Sequence, residues 1–258
     1  MSTPDNHADI HKLVESELDK AELIWEQVSR HLDFSKRASL KALLEDSIPT
    51  QIPGYPYLED MKPKVDYFIA LVADMRDSSK HLLEAISAKK AKVSQLQRVF
   101  YETSALLPAL AKTVSDHDGK VTEYLGDGVL ALFRAYGEDR ETSIRQSYRA
   151  ASQCLSVTHE VVNNALEKRY SLPPLQIGIG MAMSQAVVTL VGLKEYVQPK
   201  VFGECVFRAS KLSNGNDEIH VDEFLYQSWP IGKKGMLNFK RTIKNGVNGY
   251  LLERSGPS

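Results

Sequence analysis

Near the start of the chain, apolar residues recur at steps of three and four: Ile10, Leu13, Val14, Leu18, Ala21, Ile24, Val28 and Leu32, with Trp25 beside them. That spacing draws one stripe on an amphipathic helix over residues 10–32. Glu17, Asp19, Lys20, Glu26 and Arg30 give the opposite face to water. Residues 1–9 are polar and are expected to be unstructured. A second short helix is expected over residues 35–44, with Ser35 or Ser39 as its cap. Residues 48–63 then hold four prolines and a glycine, a rigid extended connector.

Beyond the connector the pattern changes. Residues 66–73 (D-Y-F-I-A-L-V-A) form a continuous apolar run, as in a central strand buried on both faces. The run ends at Asp74. Helical periodicity follows, with breaks, as far as Val114; Ser78 or Ser79 is placed to cap its start and leave amide groups free for an anion. Residues 119–133 (G-K-V-T-E-Y-L-G-D-G-V-L-A-L-F) read as a hairpin turning at Gly126-Asp127-Gly128. A long helix over 138–170 is stopped by Pro173-Pro174. Residues 175–183 and 186–193 read as two strands joined through Ser184-Gln185, and 194–199 as a loop. A helix over 204–212, a strand at 218–221, a helical turn at 222–227 and a closing pair at 236–239 and 250–253 complete the chain.

From residue 66 onward the order strand, helix, hairpin, helix, hairpin implies an α+β fold. Its centre is a ferredoxin-like β-α-β-β-α-β core, with helices on one face of a mostly antiparallel sheet. The expected division is a helical extension (1–50), the connector (51–63) and the α+β domain (64–258).

Composition adds limits. Hydrophobic content of 43% and charged content of 25% are those of a globular protein, and a net charge of −1 gives no overall field for nucleic acid or an anionic membrane. Cys154 and Cys205 cannot build a disulfide framework, and no apolar run is long enough to span a bilayer. A cytoplasmic protein is the default expectation.

An Asp between glycines is ordinary turn chemistry. Asp127 gains interest from Asp74, because the core places a strand ending in one carboxylate beside a hairpin tipped by the other. Side by side at one sheet edge, they offer hard oxygen ligands for magnesium or manganese.

F-I-A-L-V-A-D-M-R-D-S-S, the hairpin block, L-Q-I-G-I-G-M-A, V-V-T-L-V-G and K-V-F-G-E-C-V-F-R-A-S-K-L together resemble the successive blocks of class III nucleotidyl cyclases. The resemblance covers residues 66–212 in order, with a weaker tail to 253. It implies a head-to-tail homodimer with active sites at the interface. It also implies two Mn2+ or Mg2+ ions per site and conversion of a nucleoside triphosphate to its 3′,5′-cyclic monophosphate and pyrophosphate. By the same resemblance Asp74, Asp127 and the Met75 carbonyl hold metal, and the segment around Ser78 and Ser79 grips the triphosphate.

Other positions depart from the family pattern. Glu123 stands where adenylyl members carry lysine and guanylyl members glutamate. Lys200 stands where these carry aspartate and cysteine. A Glu carboxylate cannot pair with adenine N1, itself an acceptor, so ATP is disfavoured. Glu123 and Lys200 match the N3–H and O4 of uracil, can also serve cytosine or guanine, or simply pair with each other. Phe207 replaces the ribose-orienting asparagine, as a core residue or a pocket wall. Lys211 replaces the transition-state arginine, with Arg208 as a candidate substitute donor. Lys194 and Lys244 are candidate phosphate contacts.

These departures, with a short helical extension and no membrane segment, resemble the pyrimidine cyclases of Pycsar antiphage defence, which make cyclic UMP or cyclic CMP and signal to an effector. UTP is the expected substrate, with CTP next. A guanylyl cyclase and a catalytically inactive nucleotide-binding or dimerisation module are the alternatives. A diguanylate cyclase is excluded by the missing G-G-[DE]-E-F turn.

Overall fold

The computed structural model describes residues 4–28, 47–59, 62–83, 93–192, 196–230 and 237–254. The helix expected over 35–44 lies outside the described residues. The first amphipathic stripe becomes α1 (Pro4–Val28), which starts within the segment expected to be unstructured. Its Ile10, Val14 and Leu18 are fully buried in the main core, so the stripe is matched by its packing. The connector contains two short strands, β1 (Ser47–Pro49) and β2 (Tyr57–Glu59), paired antiparallel.

The central strand β3 (Lys64–Met75) is followed by α2 (Ser78–Leu83) and α3 (Gln95–Ser115). Ser94 caps α3 with a reciprocal Gln97 contact, a capping box that fixes where the helix begins. The hairpin is β4 (Lys120–Tyr124) and β5 (Gly128–Arg134). The long helix expected over 138–170 is a short 3₁₀ turn (Gly137–Asp139), α4 (Arg140–Gln153), a π turn (Cys154–Thr158) and α5 (His159–Tyr170).

The expected strand pair over 175–193 is instead one strand, β6 (Ile177–Val191). Ser184 and Gln185 carry the ladder on rather than turning it: Phe68 and Tyr67 of β3 lie opposite them. The hairpin partner is β7 (Gln198–Gly203), which includes residues expected as a loop. Then come α6 (Glu204–Leu212), β8 (Glu218–Asp222), α7 (Glu223–Gln227), β9 (Leu237–Lys244) and β10 (Val247–Arg254).

The main sheet runs β4-β5-β3-β6-β8-β10-β9, with β7 paired to β6 off this path. Strands β4, β5, β3 and β6 are all antiparallel neighbours and form the expected β-α-β-β-α-β core. One face packs Ile69, Leu71, Phe133 and Ile179 against α1, α3, α4 and α5. The other face is not bare, as a helices-on-one-face arrangement implies. Phe68, Val72, Leu130 and Ala182 lie under Cys205 and Ala209 of α6, with Ile52 and Leu58 from the connector. Close approach of α6 depends on glycines in β6: a Cβ at Gly180 would stand 2.0 Å from the Ala209 carbonyl oxygen.

Candidate active site

Strand register brings the two acidic residues together. Asp74 lies opposite Gly128, the residue after Asp127, and the Met75 amide donates to the Asp127 carbonyl at 3.2 Å. Gly126 turns the hairpin with φ +87°, a left-handed conformation that suits glycine. Gly128 has a separate role. A Cβ there would come within 2.6 Å of the Ala73 carbonyl and 2.8 Å of Asp74 Oδ1, so bare backbone makes room for the carboxylate.

Burial first, and then the negative field of Asp127, push the Asp74 carboxyl from 3.8 up to about 6, against the pull of Arg76. The Arg76 guanidinium is ion-paired to Asp74 Oδ2 and donates to Asn214 Oδ1 at 2.6 Å. Two carboxylates set side by side, one of them ion-paired to a guanidinium, form an acidic edge that attracts positive charge. Two hard oxygen donors at a strand end, with the Met75 carbonyl adjacent, are a donor set that would suit a divalent ion such as Mg2+ or Mn2+. Among the described residues there is no group of three or more His, Cys, Asp or Glu able to cage a metal by itself.

A second pair forms from β4 and β7. Lys200 Nζ lies 2.8 Å from Glu123 Oε2, both side chains about 30% exposed (31% and 28%), so the two residues singled out as base readers meet within one chain. A β-bulge between Val121 and Glu123 re-aims this end of β4.

On α6, Phe207 is 61% exposed, which excludes the core-filling alternative for it. Lys211, one turn on, holds its ammonium 5.6 Å from the centre of the Phe207 ring. Arg208 points elsewhere: its guanidinium is ion-paired to Asp222 at 3.2 Å and to Glu204. Ser78 and Ser79 open α2 as helical residues rather than caps. Asp77 precedes them in a left-handed conformation (φ 56°), and its carbonyl accepts from the His81 amide. Lys244 lies 3.5 Å from Glu218. Lys194 lies outside the described residues.

No protein-family model matches the chain. A curated relative, Adenylate cyclase 1 of Rhizobium meliloti (strain 1021), is 29% identical over 109 residues, 42% of this chain and 16% of the relative; the chain thus aligns with a small part of that protein. The adenylyl cyclase CyaB from P. aeruginosa superposes with a TM-score of 0.62 at 16% identity, covering 76% of this chain and 98% of that structure. The guanylyl cyclase Cya2 superposes with a TM-score of 0.59 at 17% identity, covering 74% and 92%. A class III adenylyl cyclase-like ATP-binding protein from Pseudomonas aeruginosa gives 0.58 at 19% identity, over 81% of this chain and 43% of that one.

The fold is that of class III nucleotidyl cyclases. Within this cyclase fold, the sequence reading passed over Arg76 and Asn214. Arg76 had a signal, a fixed cation two residues after a strand-end aspartate. Asn214 had none, because its place beside Arg76 depends on how far the end of α6 sinks onto β6. Among the described residues, no helix of this cyclase fold is long and apolar enough to cross a membrane.

Proposed function

We propose that the chain is a nucleotidyl cyclase that converts UTP to 3′,5′-cyclic UMP and pyrophosphate. The observation that carries the reading is the strand register that sets Asp74 at the end of β3 against the Gly126-Asp127-Gly128 turn, with the Met75 amide donating to the Asp127 carbonyl at 3.2 Å, on a class III cyclase fold. In the reaction the ribose 3′-oxygen attacks the α-phosphorus, the bond to the β-phosphate oxygen breaks, and the 3′-hydroxyl proton leaves to solvent. Asp74, Asp127 and the Met75 carbonyl would hold divalent ions, Mn2+ or Mg2+, which would supply positive charge to the reacting phosphate.

The remaining groups bind and orient. Glu123 accepts from uracil N3–H and Lys200 donates to O4, a donor–acceptor pairing that the 2.8 Å contact sets up in advance. Lys211 supplies a cation near the transferred phosphoryl group, and the exposed Phe207 ring stacks on the base or walls the pocket. Ser78 and Ser79 offer amide groups at the α2 start, with Lys194 and Lys244 as further phosphate contacts. Arg208 is committed to Asp222 and Glu204, which leaves Lys211 as the charged group of this helix. A second copy of the chain completes each site, and the product serves as a signal to a cyclic-nucleotide-responsive effector in antiphage defence.

Replacement of the usual asparagine and arginine by Phe207 and Lys211 favours one second reading, a fold that binds nucleotide without cyclising it. Incubating the purified chain with each of the four nucleoside triphosphates and Mn2+ separates the readings. Cyclic UMP with pyrophosphate is the expected product. Cyclic CMP moves the base assignment within the pyrimidines, cyclic GMP alone removes the pyrimidine assignment, and no cyclic product from any of them leaves the binding module.

A further inference from the structure

Arg76 is absent from the chemistry above, yet its guanidinium is ion-paired to one of the two proposed metal carboxylates, Asp74. We propose that Arg76 is the resting counter-cation of the Asp74–Asp127 pair, and that a divalent ion enters by exchanging places with its guanidinium. The inference rests on the metal-site reading of the two carboxylates.

One Asp74 oxygen is engaged by the guanidinium. Oδ1 lies against Gly128, where a Cβ would come within 2.8 Å of it, and Oδ2 accepts from Arg76 Nη2. A hard divalent ion on Oδ2 would sit in contact with the guanidinium, and two cations on one oxygen repel. The side chain is built to leave. Its backbone is fixed independently, the Arg76 amide donating to the Gln176 carbonyl at 2.7 Å. Among the described residues Nη1 is held by Asn214 Oδ1 and the buried Nε has no partner, so the five-donor fork is not saturated where it rests. Asn214 lies just beyond α6, the helix that carries Lys211, so the resting pose of Arg76 also ties the metal edge to that helix.

The test titrates the metal-free protein with Mn2+ alone, following free ion by electron paramagnetic resonance and the thermal midpoint in parallel. Removing the competing cation by Arg76→Gln is expected to tighten Mn2+ binding roughly two- to fivefold, the size of a partly exposed ion pair. It should also enlarge the rise in thermal midpoint on adding Mn2+. Asn214→Ala keeps the charge but removes the second anchor, and should shift affinity in the same direction by less; it carries the test if Arg76→Gln does not fold. Asp127→Ala should abolish the binding. Unchanged or weaker Mn2+ affinity in the folded variants, with binding still dependent on Asp127, overturns the exchange. Binding that survives Asp127→Ala overturns the metal site and this inference with it.

Discussion

At Gly128 one missing atom decides whether the acidic pair can form. A methyl group there would press on the Ala73 carbonyl and on Asp74 Oδ1 together, and the backbone carbonyl cannot yield. Gly128→Ala is therefore expected to cost about 1–3 kcal/mol in urea unfolding, as overpacking does. On the proposed function it should also lower kcat far more than the loss of folded protein explains; full activity in the folded fraction would refute the cradle. His220 shows a different single-residue effect. It is buried in β8, its Nδ1 has no partner among the described residues, and desolvation, with Lys244 nearby, holds it down at about 4 instead of 6.5. Between those values the unfolded chain binds the proton and the folded chain does not, so stability falls as pH drops from 6.5 towards 4. The loss should be on the order of 2 kcal/mol once solvent screening is allowed for. Unfolding midpoints of the native chain and His220→Gln over that range check this: the variant should lose much of the acid slope, and an unchanged slope rejects the assignment. The carboxylates of the site were legible in the sequence because a strand end and a Gly-Asp-Gly turn are local signals. Arg76, Asn214 and the close packing against Gly128 were not, since each depends on a neighbour remote in the chain.

Elements show the same division between local pattern and tertiary contact. The stripe of Ile10, Val14 and Leu18 predicted a helix, and the helix forms, but what covers the stripe was left open by spacing alone. Polar contacts fix the seat: Arg169 on α5 engages Glu15, Asp19 and Glu22, and the Tyr170 hydroxyl donates to Glu22 at 2.5 Å. The apolar contacts dominate the energetics. Leu18→Ala should cost about 3 kcal/mol through the cavity it leaves, and Arg169→Ala about 1 kcal/mol because its partners are partly exposed. Urea denaturation of the two variants gives the ordering, and an Arg169 effect larger than that of Leu18 would contradict it. The run over residues 175–193 misled because Ser184-Gln185 has the composition of a turn, whereas pairing with β3 on one side and β7 on the other holds β6 extended. One true turn was legible and missed: Asn245-Gly246 joins β9 and β10 with both residues left-handed, at φ 47° and 78°.

For the whole molecule, the positions of the proposed groups set a geometric problem. Asp74 and Asp127 close the β3–β5 end of the sheet, while Lys211 projects from α6 with Phe207 exposed beside it. On the proposed function Phe207, exposed beside Lys211, would be covered by a second copy of the chain. Each active site would then draw its metal carboxylates from one copy and Lys211 from the other. Asp74→Ala and Lys211→Ala homodimers should each be nearly inactive, because every site in them lacks one group. Mixed in equal amounts with free exchange, half of the dimers would be mixed, and each of those holds one intact site and one doubly damaged site. Activity should recover to about one quarter of the native value, since half of the dimers regain half of their sites. Exchange is checked separately by mass-tagged subunits. If tagged subunits exchange and activity stays at the single-mutant level, Lys211 serves the same site as Asp74, and the shared-site geometry fails while the metal assignment stands.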